Sequence, residues 1–166
     1  GRVVVSGGSL IIAGVALVAA LGTLIGQPAA ETSILPIGLP WLGAHFRLDP
    51  LSAFFLVVVN LGAVAASFYA LGYGRHEVAP QRVLPFYPLF LAGMTLVVIA
   101  DDAFTFLFTW EFMSLSSWAL VMAHDHEREN LRAGYVYLVM ASMGTLALLL
   151  AFGLLAGPHG AYAFGS

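Results

Sequence analysis

The sequence predicts an all-α fold: a polytopic transmembrane helix bundle of about five spans, with its amino terminus on the cytoplasmic side. Composition is the first reason. Sixty per cent of the 166 residues are hydrophobic, only 9% are charged, and mean hydropathy is +0.93, far from the polar surface that a soluble domain of this length requires. The second reason is that uncharged apolar stretches recur in series, each near the ~20 residues that cross a hydrocarbon layer at about 1.5 Å per residue. The third is the arginines, which fall by loop parity. Arg2, Arg75, Arg82, Arg128 and Arg132 come out on one side and Arg47 alone on the other, and short Arg-rich loops stay cytoplasmic.

Each span has its own boundary signals. The first covers residues 8–26 and ends at Gln27-Pro28. It starts close to Arg2 and so resembles a secretory leader, but no small-residue cleavage site followed by soluble sequence comes after it, and it is read as a retained helix. Residues 27–49 read as loop, because Pro28, Pro36 and Pro40 forbid a continuous helix. Trp41, His45 and Phe46 suit the headgroup zone. Asp49-Pro50 marks the start of the second span, residues 51–72, since Asp accepts free amide hydrogens and Pro has none to offer at the first helical position. A link with Arg75, His76, Glu77 and Arg82 leads to a short third span, residues 84–100. Asp101-Asp102 forms a tight turn, with Asp102 capping the fourth span, residues 103–123. The fifth covers residues 133–155 and closes at Gly157, Pro158 and Gly160. The whole of 1–166 reads as one membrane domain, a partial one.

Several function classes drop out at this point. The chain has no cysteine, hence no disulfide, thiolate metal site or cysteine-held iron–sulfur cluster. Net charge is -3 and lysine is absent, so nothing resembles a nucleic-acid-binding arm. The run His124, Asp125, His126, Glu127 is rich in metal-ligand types, but adjacent ligands in a short link lack the spacing of a built site. No nucleophile–base pair, phosphate loop or hydride-cofactor motif occurs. No cofactor is expected in this chain.

Glu111 stands apart from every other charged residue. It lies eight residues into the fourth span, about 12 Å along the helix axis and well inside the apolar layer. A central charge there costs about 2.5–3.5 kcal/mol on insertion scales, so an acid in this position is functional or paired. On a helix Ser114 and Trp118 share its face, at spacings of three and seven, and offer hydroxyl and indole donors for a wet path. Asn60 in the second span, and Ser142 and Thr145 in the fifth, are further candidates for lining a proton path. Asn60 equally suits a bond across helices, and Ser142 and Thr145 equally suit bonds to their own helix. Gly22/Gly26 and Gly153/Gly157 form GxxxG pairs that would serve as packing faces.

The segment Trp110-Glu111-Phe112-Met113-Ser114-Leu115-Ser116-Ser117-Trp118 resembles the Trp-Glu-x-Met signature of the proton-conducting antiporter-like membrane subunits. These are found in respiratory complex I, Mrp-type sodium/proton antiporters and energy-converting hydrogenases. Phe46-Arg47-Leu48-Asp49-Pro50-Leu51-Ser52-Ala53-Phe54-Phe55 is similar to the entry to the helix before last of the family's leading group. Residues 135–152, with Tyr137-Leu138-Val139, Gly144 and Thr145, are similar to the helix after the family's glutamate helix. The likeness covers residues 46–155 and leans toward the hydrogenase-4 and formate hydrogenlyase branch.

The resemblance implies that Glu111 is the family's essential glutamate, facing a lysine on a later helix across a proton pathway. It also implies an amino-terminal fragment, since the later lysines are absent. The expected function is therefore part of a proton-translocating membrane subunit of a respiratory or hydrogenase-type oxidoreductase complex. A sodium/proton antiporter subunit and a non-transporting membrane scaffold are the alternatives. Expected partners are other membrane subunits, a peripheral redox arm, protons or sodium, and the lipid bilayer of the cell inner membrane.

Overall fold

In a computed structural model of the chain, residues 2–26, 31–35, 43–73, 83–124, 128–157 and 162–164 are described. They form five long helices and one small hairpin, in the order α1 (Arg2–Gly26), β1 (Glu31–Leu35), β2 (Ala44–Leu48), α2 (Pro50–Tyr73), α3 (Phe86–Ile99), α4 (Ala103–Val121) and α5 (Arg128–Ala156). A 3₁₀ turn, Met122–His124, follows α4. Val3–Gly26, Pro50–Gly72 and Glu129–Ala156 are long and apolar enough to cross a membrane by length and composition. α3 is apolar but shorter, and 14 residues reach only about 21 Å at helical rise. α4 has the length, but Glu111 and its Thr and Ser residues dilute its hydropathy.

The helices follow the predicted spans and extend two of them. α1 begins at Arg2 and α5 at Arg128. The Arg-Glu-Asn-Leu-Arg stretch read as a link is thus the first turn of a helix, where Glu129 favours the positive end of the helix dipole. Arg75, His76, Glu77, Arg82, Trp41, Asp125, His126 and Glu127 lie outside the described residues.

Between α1 and α2 the structure differs from the expected loop. β1 and β2 pair antiparallel, with Glu31 opposite Leu48 and Leu35 opposite Ala44. The prolines that forbid a helix leave the segments between them free to extend, and β-branched Thr32 and Ile34 favour strand. Gly43, at φ 59, leads into β2. A side chain there would be strained, and its Cβ would stand 3.2 Å from the Ile34 side chain.

Packing is by small residues. α1 lies along α2, α3 along α4, and α5 against α4. Ala13 and Ala20 on α1 and Ala53, Ala63 and Ser67 on α2 are buried, while Val3, Ile12, Phe68 and Leu155 point outward. This is the inverse of a soluble core and the pattern of helices that associate in lipid. Ser67, fully buried, shares a 2.8 Å hydrogen bond with the Tyr87 hydroxyl and ties α2 to α3. The expected GxxxG faces make no close approach among the described residues, since a Cβ at Gly22, Gly26, Gly153 or Gly157 would meet nothing within 4 Å. The close approaches are at Gly93 and Gly134. A Cβ at Gly93 would sit 2.8 Å from Met113 Cα, and one at Gly134 would run into the Met122 sulfur.

Asp49 caps α2 as expected. Its Oδ1 accepts from the Ser52 amide at 2.8 Å and the Ser52 hydroxyl at 2.6 Å, and its own amide donates back to Ser52 Oγ. The side-chain and backbone hydrogen bonds from Ser52, with help from Arg47, hold the Asp49 carboxyl below the usual carboxylate range. A lowered acid contributes stability that is present above its unfolded pKa and lost as pH falls through the folded value. Asp49→Ala is therefore expected to lower stability in detergent by about 0.5–2 kcal/mol at pH 7. The gap from wild type should shrink progressively below about pH 4, which thermal melts at pH 7 and pH 3 will measure.

Candidate functional site

The site is built on α4, and α4 is anchored at its first turn. Asp102, extended at φ -144 and 4% exposed, accepts from the Thr105 amide at 2.8 Å. Its other oxygen accepts from the Thr105 hydroxyl and, at 3.3 Å, from the His45 amide on β2. The Asp101 amide donates to the His45 carbonyl, and Arg47 Nε stands 3.1 Å from Asp101 Oδ1 and 3.6 Å from Asp49 Oδ2. His45 Nδ1 lies 3.3 Å from Asp102 Oδ2 without the angle of a hydrogen bond, and both Nδ1 and Asp101 Oδ1 are sealed from solvent. Residues 162–164 cross the same turn, with the Ala103 amide donating to the Tyr162 carbonyl and the Phe164 amide to the Asp101 carbonyl. The hairpin, the α3–α4 turn and the segment after α5 are thus knit together at one end of the bundle. His45 was expected only as a headgroup ring. The spacing His45-x-Arg47-x-Asp49 against Asp101-Asp102 was the available signal, and it means little until β2 is known to be a strand.

Below this end comes an aromatic layer. Phe106 stacks on Trp110 at 5.8 Å and meets Phe152 of α5 edge-on at 5.6 Å, and Phe152 in turn packs against Phe164 at 5.6 Å.

Glu111 follows, half-buried, in the middle of α4. The Thr145 hydroxyl on α5 donates to Glu111 Oε1, so the carboxyl is held across two helices. The same hydroxyl lies 3.2 Å from the Ala141 carbonyl on its own helix. Gly93 lets α3 close on Met113, two residues from Glu111, while Gly134 brings α5 beside Trp118, whose indole nitrogen lies 3.6 Å from the glycine's Cβ position. Glu111 and Trp118 therefore share the face that looks at α5, as their spacing of seven predicts. Ser114, between them, is buried.

The other candidates lie elsewhere. Ser142 is on the exposed side of α5; of the two hydroxyls expected together, only Thr145 turns inward. Asn60, 4% exposed, donates to the Leu56 carbonyl of its own helix at 2.8 Å rather than across helices. It lines a cavity of about 340 Å³ between α1, α2 and α3 with Ser9 and Thr95, and Glu111 is not among the lining residues. Among the described residues no group of three or more His, Cys, Asp or Glu is placed to hold a metal.

Residues 100–165, which contain α4, α5 and the capped turn, match the family described as NADH:quinone oxidoreductase/Mrp antiporter, TM. The chain is 34% identical over 167 residues to an uncharacterized protein of Mycobacterium tuberculosis, covering 99% of this chain and 25% of the relative. It is 36% identical over 122 residues to hydrogenase-4 component B of Escherichia coli, covering 72% of this chain and 18% of that protein. A chain in the structure of the Mrp complex from Dietzia sp. superposes with a TM-score of 0.76 at 22% identity, covering 96% of this chain and 30% of that one. The chain thus spans about a quarter or less of the length of these curated relatives. By the match of residues 100–165 the chain belongs to the family described as NADH:quinone oxidoreductase/Mrp antiporter, TM.

Proposed function

We propose that this chain is part of a proton-translocating membrane subunit, in which Glu111 binds and releases the transported proton. The observation that carries the reading is the place of the Glu111 carboxyl: mid-helix, half-buried among apolar helices, with a hydroxyl from the next helix as its partner. Carboxylates in hydrocarbon that are neither lipid-facing nor ion-paired mark proton relays. A cation brought near such a group favours its ionised form, and withdrawing the cation favours the acid, so motion of a neighbouring charge is converted into proton uptake and release. The lysine that the family resemblance implies would be that cation. Arginine placement supports a cytoplasmic amino terminus; the proposed location is the cell inner membrane, and the proposed partners are other membrane subunits and a peripheral redox arm.

The Glu111–Thr145 contact would serve equally as a fixed fastening between helices, and this second reading is separable. In the full-length protein, infrared difference spectra should show a protonated-carboxyl band that changes between pH 5 and 9 and is absent from Glu111→Gln. A band constant across that range would favour the scaffold. Flux into vesicles with and without sodium separates the remaining alternative, since exchange would require sodium on the opposite side whereas proton pumping would not.

A further inference from the structure

We propose that Thr145 is a positioning residue that governs the proton occupancy of Glu111 by moving its one hydroxyl proton between two acceptors. The proposal rests on Glu111 being the proton site. A threonine hydroxyl has one proton to donate and two lone pairs to offer. Thr145 Oγ1 has two acceptors within reach, Glu111 Oε1 on α4 and the Ala141 carbonyl at 3.2 Å on α5, and it can serve only one at a time.

The protonation state of Glu111 decides which. When the carboxyl is ionised it is the stronger acceptor, because a hydrogen bond to a charged group is roughly twice as strong as a neutral one. The hydroxyl then points across to α4. When Glu111 takes up a proton, its new O–H needs an acceptor in a place without bulk water. The oxygen of Thr145 supplies a lone pair, and the threonine proton swings back to the spare lone pair of the Ala141 carbonyl. Each state keeps the hydrogen bond between Thr145 and Glu111, so neither leaves the hydroxyl or the oxygen facing it unpaired, at the ~1–3 kcal/mol that such a group costs. The hydroxyl keeps its own proton throughout. The transported proton is taken up and given off at Glu111 Oε2, which accepts from no described residue, and a half-turn of the carboxyl about its terminal, two-fold torsion carries the protonated oxygen to Thr145.

No other ionisable group competes at close range along these elements. Glu111 is the one charged residue of α4, and Tyr87 is the one ionisable residue of α3. On α5 the nearest is Tyr137, eight residues from Thr145 and about 12 Å along the axis. His45 and Arg47 of β2, with Asp101 and Asp102, belong to the far end of α4. Ser142, one turn earlier on α5, faces outward and cannot replace Thr145.

The test uses Thr145→Val, which keeps the shape and β-branching but removes the hydroxyl, and Thr145→Ser, which keeps the hydroxyl alone. Both are made in the full-length protein within its complex, normalised to the amount assembled. Thr145→Ala repeats the deletion should the valine variant assemble poorly. Proton flux should fall at least about tenfold in the valine and alanine variants, the factor that one hydrogen bond to a charged group is worth, and return to within about twofold of wild type in the serine variant. The Glu111 carboxyl infrared band should move in the valine variant and return in the serine variant. Wild-type flux with an unmoved band in Thr145→Val overturns the proposal, as does a serine variant as slow as the valine one, which would make the methyl group the part that matters. If Thr145→Val is silent while Glu111→Gln is inactive, only the switch is lost. Normal flux in Glu111→Gln removes the proton site and the switch together.

Discussion

Replacing Glu111 by Gln in the full-length, assembled protein should reduce proton flux to background, a loss of at least about a hundredfold, the lower end of what a positioned acid–base group contributes. Glutamine has nearly the same volume and keeps a carbonyl oxygen for the Thr145 hydroxyl, so the α4–α5 contact survives the change. Only the titration is lost. Glu111→Asp keeps the titration but withdraws the carboxyl by one methylene from Thr145, and should retain a fraction of the flux. Quenching of a pH-sensitive dye in inverted vesicles measures both variants, and the amount of inserted protein supplies the control. Undiminished flux in the glutamine variant would take Glu111 out of the mechanism.

Gly93→Ala should destabilise the bundle more than any other glycine-to-alanine change among the described residues. The added Cβ would fall 2.8 Å from Met113 Cα, 2.9 Å from its Cβ and 3.1 Å from its amide nitrogen. Two of these are backbone atoms, so no rotamer change relieves the overlap and α3 must move away from α4. Overpacking of this kind costs about 1–3 kcal/mol. Gly134→Ala meets the far end of the flexible Met122 side chain and should cost less, and Gly144→Ala meets nothing within 4 Å. Melting temperatures of the three variants in detergent should fall in the order Gly144→Ala, Gly134→Ala, Gly93→Ala, with the last the lowest. Because Met113 is two residues from Glu111, the Gly93 variant should also lose flux, whereas Gly144→Ala should not.

The five helices were legible because lipid imposes a coarse demand, about twenty apolar residues per crossing, that composition alone reports. The two caps were legible for a local reason: Asp49 and Asp102 each serve an amide three residues on. Glu111 was visible as a cost without an evident return. What stayed hidden depends on which helices meet. Thr145 and Ser142 are equivalent on paper, and only the rotation of α5 against α4 turns one inward. The same holds for glycine. The GxxxG spacing describes a groove without its occupant, and the contact is made by Gly93, which belongs to no such pair. The hairpin was missed because prolines rule out helix without ruling strand in, and its register depends on β2 meeting the α3–α4 turn.

The rings of Phe106, Trp110, Phe152 and Phe164 stand between the Asp102 end of the bundle and Glu111. A stack of hydrocarbon edges has nothing to offer a file of water, so from that direction the carboxyl is corked. Traffic with Glu111 would then use the opposite approach, beside Ser114 and Trp118, or a sideways doorway toward the open flank of α5. On the proposed reading, that leaves the proton site approachable from one end only.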